Sequence, residues 1–555
     1  MKKKSTHSKV VFKAYQQNQS TFLPSNLDDL IPKNHLVRLI NRIIDQMNID
    51  YILRDYKGGG TSSYHPRMLL KVLIYAYTQR IYSSRRISKA LRENIHFMWL
   101  SGGNRPDFRT INRFRSSRLK DTIETVFGTV VEMLLEEGLI DLRDYFLDGT
   151  KLEANANKYS FVWGKATRKF KSRLQSQLKE LLHEIDETNR EEQARYGDRD
   201  LEEMGEDNQI DSDKIKQKLK ELEDRLKRDP DDKSLSKAIK KIRNDYLPRQ
   251  QKYEEQQEKL KGRNSYSKTD DDATFMRMKE DYMRNGQLKP GYNIQMGTQN
   301  QFIIGYSIHQ KTTDTSLLIP HLEHLKKQLG RCPENVIADA GYGSEENYHY
   351  LDKQGITAYV KDNDFHYEQT RKYKRNKYRK SNFIYDPQSD TYKCPSGERL
   401  YYVKTEDYTT DNGFRTTRRV YQARRCQKCH LRSECYKGKY NRRIYVSFLL
   451  DRYRKKAREM LESERGKELR SQRPVDVESV FGQIKQNRHF RRFLLRGLDK
   501  VTIEYGLIAL AHNMMKWVSR VKNEYRDRVT FFFKSMIEFF IVDIVNNIKN
   551  RIKYA

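Results

Sequence analysis

Three acidic residues are placed where short apolar runs hold them, and they lie far apart along the chain. Asp148 ends Tyr145-Phe146-Leu147 and precedes Gly149-Thr150. Asp339 ends Asn335-Val336-Ile337-Ala338 and precedes Ala340-Gly341-Tyr342-Gly343. Glu478 sits in Pro474-Val475-Asp476-Val477-Glu478-Ser479-Val480-Phe481-Gly482, with Lys485 seven positions on. A short apolar run closed by Asp and followed by a turn signal reads as a buried strand with a carboxylate at its end. Two strand-borne Asp and one helix-borne Glu are able to hold a pair of divalent cations, Mg²⁺ or Mn²⁺, as phosphodiester chemistry on DNA requires.

The segments between these acids change character twice. From about Lys165 to Gly262 the chain is charged and helical, with Leu174, Leu178, Leu181 and Ile185, then Ile215, Leu219, Leu222 and Leu226, at helical spacing. That narrow apolar seam predicts a coiled coil or helical hairpin, inserted at 165–262, with its hinge at 196–212. Gly291–Gly297 and Phe302–Ile308 read as a hairpin, Leu317–Leu329 as an amphipathic helix, and 336–339 and 356–360 as strands flanking a helix at 345–354. The expected fold is mixed α/β, a mixed sheet with flanking helices assembled from 136–164, 263–360 and 465–520.

A second insertion at 361–450 is basic and rich in Tyr, with seven basic residues among the ten from Arg371 to Lys380. That composition suits contact with phosphates and bases. It also holds Cys394, Cys426, Cys429 and Cys435, with Cys332 outside. Four thiols in a loop-rich module predict a structural Zn²⁺, with buried free thiols or a redox pair as the alternatives.

The N-terminal 1–135 reads as helical and basic. A helix is predicted from Pro66 to Tyr77, another over 83–91, and a third beginning at Asp107, which carries Arg109, Arg113 and Arg115. This is either a helix-turn-helix-like DNA reader, with Arg109 and Arg113 contacting DNA, or a bundle with a solvated basic face. Residues 521–555 are expected to form a helical tail.

The chain has 555 residues and a formal charge of +33, which favours a polyanion as partner. No apolar run is long enough to span a bilayer, and the start is polar and lysine-rich. A cytoplasmic protein without a membrane partner is expected, associated with the nucleoid when bound to DNA.

On an α-helix Glu478 and Lys485 share a face, whereas Asp476 projects about 200° from Glu478. Glu478 is therefore preferred over Asp476, with Arg492 near its face and Arg488 further round. In combination, Leu147-Asp148-Gly149-Thr150, Ala338-Asp339-Ala340-Gly341-Tyr342 and Val477-Glu478 through Lys485 resemble the bacterial insertion-sequence transposases of the DDE class. So do Arg492-Phe493-Leu494-Leu495-Arg496-Gly497 and the region around 105–115.

That resemblance implies an RNase H-like catalytic core, Asp148, Asp339 and Glu478 as a metal-binding triad, and Lys485 on transposon-end DNA. Many relatives carry Tyr and Arg at set places before the Glu. Here Pro474 stands four before it, with Arg473 beside, and Ser471 stands where the Tyr would be. The implied activity is binding of inverted-repeat ends, hydrolysis to free a 3′-OH, and strand transfer to target DNA by a homodimer or larger assembly. The alternatives are an RNase H-like endonuclease that cuts without joining, and a non-enzymatic DNA-binding derivative.

Overall fold

The computed structural model describes residues 26–54, 56, 63–196, 210–278 and 287–521, apart from positions 363, 366, 369 and 411. The 196–212 hinge lies largely, and the tail after 521 wholly, outside the described residues.

Five strands carry the centre of the molecule: β1 (Asp144–Glu153), β2 (Leu288–Gln299), β3 (Phe302–His309), β4 (Asn335–Ala338) and β5 (Thr357–Val360). They lie in the order β3-β2-β1-β4-β5, and Thr274–Arg277 extends the β3 edge by pairing with the start of β2. The β1 strand runs antiparallel to β2 and parallel to β4, and β4 runs parallel to β5. This mixed α/β sheet is compatible with an RNase H-like core.

Apolar residues on both faces explain why the sheet is covered on both sides. Helix Leu318–Leu329 buries Leu318, Leu322 and Leu325. The helical run 464–487 contacts β1 and β2. The C-terminal helix, described to residue 521, anchors at β3, where Asn513 exchanges two 2.8 Å hydrogen bonds with the Ile303 backbone.

The packing beneath β1 leaves no slack. A Cβ on Gly297 would stand 1.7 Å from the Tyr145 ring, so only glycine leaves room for that side chain. The Tyr145 hydroxyl meets His321 Nε2 at 2.7 Å, and Ser307 Oγ lies 2.8 Å from both His321 Nδ1 and His309 Nε2.

The N-terminal helices are not a separate bundle. Their apolar residues join those of the sheet in one core that runs from Ile31 to Trp517. The predicted helices form as Pro66–Thr78, Ser84–Glu93 and Phe108–Arg113, and Asp107 caps the last by accepting from Thr110 N at 2.8 Å.

The first insertion folds on its own core of Leu174, Leu178, Ile215, Leu219, Leu222, Ile239 and Ile242. Helices Gly164–Tyr196, Ser212–Arg228, Lys233–Lys241 and Leu247–Leu260 build it. It is attached through a two-stranded ribbon, Phe161–Trp163 with Ser265–Ser267.

The second insertion departs from the loop-rich expectation. It holds a five-stranded antiparallel sheet whose longest strands are Arg399–Thr409 and Arg415–Ala423. Phe383, Tyr392, Leu400, Tyr421 and Ile444 form its core. Its Tyr, Thr and Arg residues alternate along strands with one face exposed, which composition alone reads as loop. Tyr373 in the basic run is buried and bonded to Glu368 and Ser381, so it is a packing residue.

Candidate active site

Parallel pairing sets the first two acids side by side. The β1–β4 ladder runs from Asp144 opposite Asn335 to Leu147 opposite Ala338. One step further stand Asp148, still within β1, and Asp339, which follows the last residue of β4 and caps the turn Ala340–Tyr342, the two strands being about 4.8 Å apart. Asp148 Oδ1 accepts from Gly149 N, and Asp339 Oδ1 from Ala340 N, each at 2.8 Å.

Glu478 reaches this corner through Arg473. The guanidinium places Nη2 3.1 Å from Asp148 Oδ2 and Nη1 2.9 Å from Glu478 Oε1. Arg473 is buried, Asp148 nearly so, and the Glu478 side chain is 53 % exposed.

The residue before Pro474 does this because the helix is not a plain α-helix. Pro474–Glu478 forms a π turn, with Ser479 N donating to Pro474 O, and Gln483–Asn487 forms another. A π turn takes one extra residue. Arg473, five before Glu478, thus stands about where a residue four before would stand on an α-helix. No tyrosine accompanies it from the same helix: Ser471 is exposed and donates to Glu468 O.

Lys485 lies in the second of these turns. It is buried, with only 4 % exposure, while Glu478 is half open to solvent. Asp476 is also buried and accepts from Asn300 N and Gln301 N at the β2–β3 turn, at 3.1 and 2.9 Å. Burial pushes its carboxyl above the ordinary range, and those backbone donors oppose the rise.

Side chains that sequence reasoning did not single out surround the acids. Asp314 Oδ1 accepts from Asn293 Nδ2 at 2.8 Å and from Gln295 Nε2 at 3.1 Å. The Tyr342 hydroxyl donates to Gln295 Oε1. A Cβ on Gly149 would stand 2.6 Å from both Asp314 Oδ1 and Gln295 Nε2, so glycine after Asp148 is what lets this network close beneath the acid. Burial raises the Tyr342 hydroxyl well above its ordinary pKa, and Asp314, Asp148 and Asp339 add to the rise. Burial lowers the Lys361 ammonium, opposed by Asp339 and Glu478. The sequence signal for Asp314 was weak: one acid in a Thr-rich turn.

The donor set of three carboxylates on three elements is of the hard-oxygen kind that Mg²⁺ or Mn²⁺ takes. Among the described residues no three His, Cys, Asp or Glu side chains stand close enough to hold an ion, and Arg473 lies between two of the triad.

The basic residues expected on DNA divide. Arg109 and Arg113 are exposed on the N-terminal region, and Arg109 lies over the Phe108 ring at 5.7 Å. Arg115, in a π turn at Phe114–Arg118, points inward and donates to Tyr82 O and Ser84 Oγ at 2.6 and 3.1 Å. Arg488 is buried and donates to Tyr77 O at 2.8 Å, so it fastens the end of the helical run that carries Glu478 to the N-terminal helices instead of facing solvent. Arg492 is exposed but donates to Ala154 O and Ala156 O, at 3.1 and 3.2 Å.

Cys394, Cys426, Cys429 and Cys435 line one small cavity in the second insertion, and none is in a disulfide.

Two family models match this chain. A transposase DDE domain covers residues 393–518, which include Glu478 and the four cysteines. A transposase domain (DUF772) covers 25–117, the N-terminal helices. The stretch between them holds Asp148 and Asp339. No curated protein and no solved structure matches. Among the described residues no helix is long and apolar enough to cross a membrane. The two matches flank the sheet that carries Asp148 and Asp339, and together they support an insertion-sequence transposase of the DDE class.

Proposed function

We propose that this transposase binds the inverted-repeat ends of its own element, cleaves a phosphodiester there, and directs the freed 3′-OH onto target DNA. The observation that supports it best is the corner where Asp148 and Asp339 stand on adjacent strands and Arg473 ties Asp148 to Glu478.

Asp148, Asp339 and Glu478 are the residues that would hold divalent ions. Bound there, such ions supply activation of the attacking oxygen and stabilisation of the leaving one. Arg473 offsets the repulsion between carboxylates and keeps Glu478 turned toward the strand ends. The Tyr342–Gln295–Asp314 network fixes the backbone at Gly149, and hence the direction of Asp148. The net charge of +33 draws the DNA backbone to the protein, and exposed Arg109 and Arg113 suit phosphate contact. Joining requires two ends held together, so a dimer or larger assembly on DNA is part of this reading.

The test uses a duplex carrying the inverted repeat that flanks the gene. Asp148→Asn, Asp339→Asn and Glu478→Gln are each expected to abolish Mg²⁺-dependent cleavage while keeping binding. Cleavage surviving in any one of them removes that residue from the triad. A strand-transfer assay separates a transposase from a nuclease that only cuts.

A further inference from the structure

We infer that Cys394, Cys426, Cys429 and Cys435 form a structural Zn²⁺ site at the root of an arm that braces the catalytic sheet. The four residues come from three separate segments of the second insertion and surround a cavity of about 30 Å³, room for one small ion.

Two of those segments have the tight turns that present sulfur to a metal. Cys429 N donates to Cys426 O at 3.4 Å. Gly397 N donates to Cys394 O at 2.9 Å, with Gly397 at φ +86°, so the first turn has a knuckle's shape with a single cysteine. Cys435 ends the short helix Arg432–Cys435.

The sulfurs have not closed on the centre, and no three lie within reach of one ion. Cys394 Sγ is 3.0 Å from Ser396 Oγ, and Cys435 Sγ accepts from Arg442 Nη1 at 2.8 Å. Both bonds break by side-chain rotation alone. Four thiolates around Zn²⁺ carry a net charge of −2, and Arg425, Arg432 and Arg442, which line the same cavity, balance it. A redox pair needs only two thiols and gives no reason for four to converge.

The position of the cavity gives the metal a task. Leu400 and Ala423, at the base of the long hairpin 399–423, line it. The far end of that hairpin rests on the catalytic core. Thr410 Oγ1 and Asn412 Nδ2 donate to Glu346 Oε2 at 3.3 and 3.2 Å, and Thr416 Oγ1 donates to Glu345. Glu345 and Glu346 open the helix that follows the Asp339 turn. Zinc at the root therefore stiffens an arm whose tip holds the segment after a catalytic acid.

The full-length chain, purified without a metal-affinity tag, is assayed for metal by elemental analysis. About one zinc per chain is expected, and Co²⁺ exchanged into it is expected to give thiolate-to-metal charge-transfer absorption. Cys426→Ser with Cys429→Ser is expected to lose both. Folded wild-type protein that contains no zinc and takes up no Co²⁺ overturns the site, as does a double variant that retains zinc. Chelation is expected to raise amide hydrogen exchange over 345–353. Loss of zinc with exchange there unchanged overturns the brace while leaving the site.

Discussion

Arg473 stands between Asp148 and Glu478, 3.1 Å from one carboxylate and 2.9 Å from the other, with its own side chain almost fully buried. It touches a strand-borne acid and the helix-borne acid together. Arg473→Ala is expected to destabilise the protein by about 1–3 kcal/mol, below the about 3–5 kcal/mol of breaking a fully buried pair because Glu478 is half exposed. It is also expected to slow cleavage by about 100-fold, as loss of a preorganised charge does. Arg473→Lys keeps the charge and loses the two-pronged geometry, so it should recover stability more than rate. Denaturant melts and single-turnover cleavage read the two effects; a rate equal to wild type in Arg473→Ala removes the residue from the site.

Glycine substitutions separate fit from function. A Cβ on Gly297 meets the Tyr145 ring at 1.7 Å, deep in the core, while one on Gly149 meets two bonded side-chain ends at 2.6 Å. Gly297→Ala is expected to cost more than about 3 kcal/mol, the upper end for overpacking, and Gly149→Ala about 1–2 kcal/mol. Gly149→Ala should nevertheless lose most cleavage activity, because the strain falls on the backbone next to Asp148. The order of melting temperatures, set beside the order of rates, checks this.

Asp476 and Glu478 are two residues apart and should fail in opposite ways. Asp476→Ala leaves the Asn300 and Gln301 amides without their acceptor and is expected to cost about 1–3 kcal/mol. Glu478→Gln should change stability by less than about 1 kcal/mol, yet abolish cleavage. If Asp476→Ala folds normally and is inactive, the assignment of the two acids is reversed.

Acid should unfold this protein earlier than its carboxylates alone would require. Burial lowers His309 and His512 to about 4 and His321 well below its ordinary value. Each is neutral when folded and takes up a proton near pH 6.5 when unfolded. Their contribution is therefore complete above about pH 6.5 and is lost as pH falls toward 4, on the order of 3 kcal/mol for His512. Melting temperatures measured from pH 7.5 down to 4 should fall most steeply in that window, and His512→Gln should flatten the fall.

Much of this was legible in the residues. Asp148 and Asp339 could be found because a buried strand announces itself as a short apolar run; the turn signal after Asp339 does end its strand, whereas Gly149-Thr150 continue β1 to Glu153, since that glycine is there for the close approach of Asp314 and Gln295. The first insertion was legible from its leucine spacing. Arg473 was hidden by counting: a search four residues before Glu478 finds Pro474, because the extra residue of a π turn leaves no trace in spacing. Lys485 lies in the second π turn and is interior, and Arg488 is interior too because of the Tyr77 carbonyl, which nothing in the residue order signals. Asp314 escaped because its importance lies in the packing beside Gly149, a relation between segments more than 160 residues apart.

The first insertion leaves and re-enters the protein at nearly one point, where Gly164 N donates to Asn264 O at 2.8 Å and the ribbon strands 161–163 and 265–267 pair. A body with its own core on a single stem behaves mechanically as a pendant. Whatever it grips, the load reaches the sheet by two short connections, one from β1, whose Glu153 lies eight residues before the stem's first strand, and one to Thr274–Arg277, seven residues after its second. The strand that carries Asp148 is thus also one of the two strands from which the pendant hangs, so a pull on one is felt at the other.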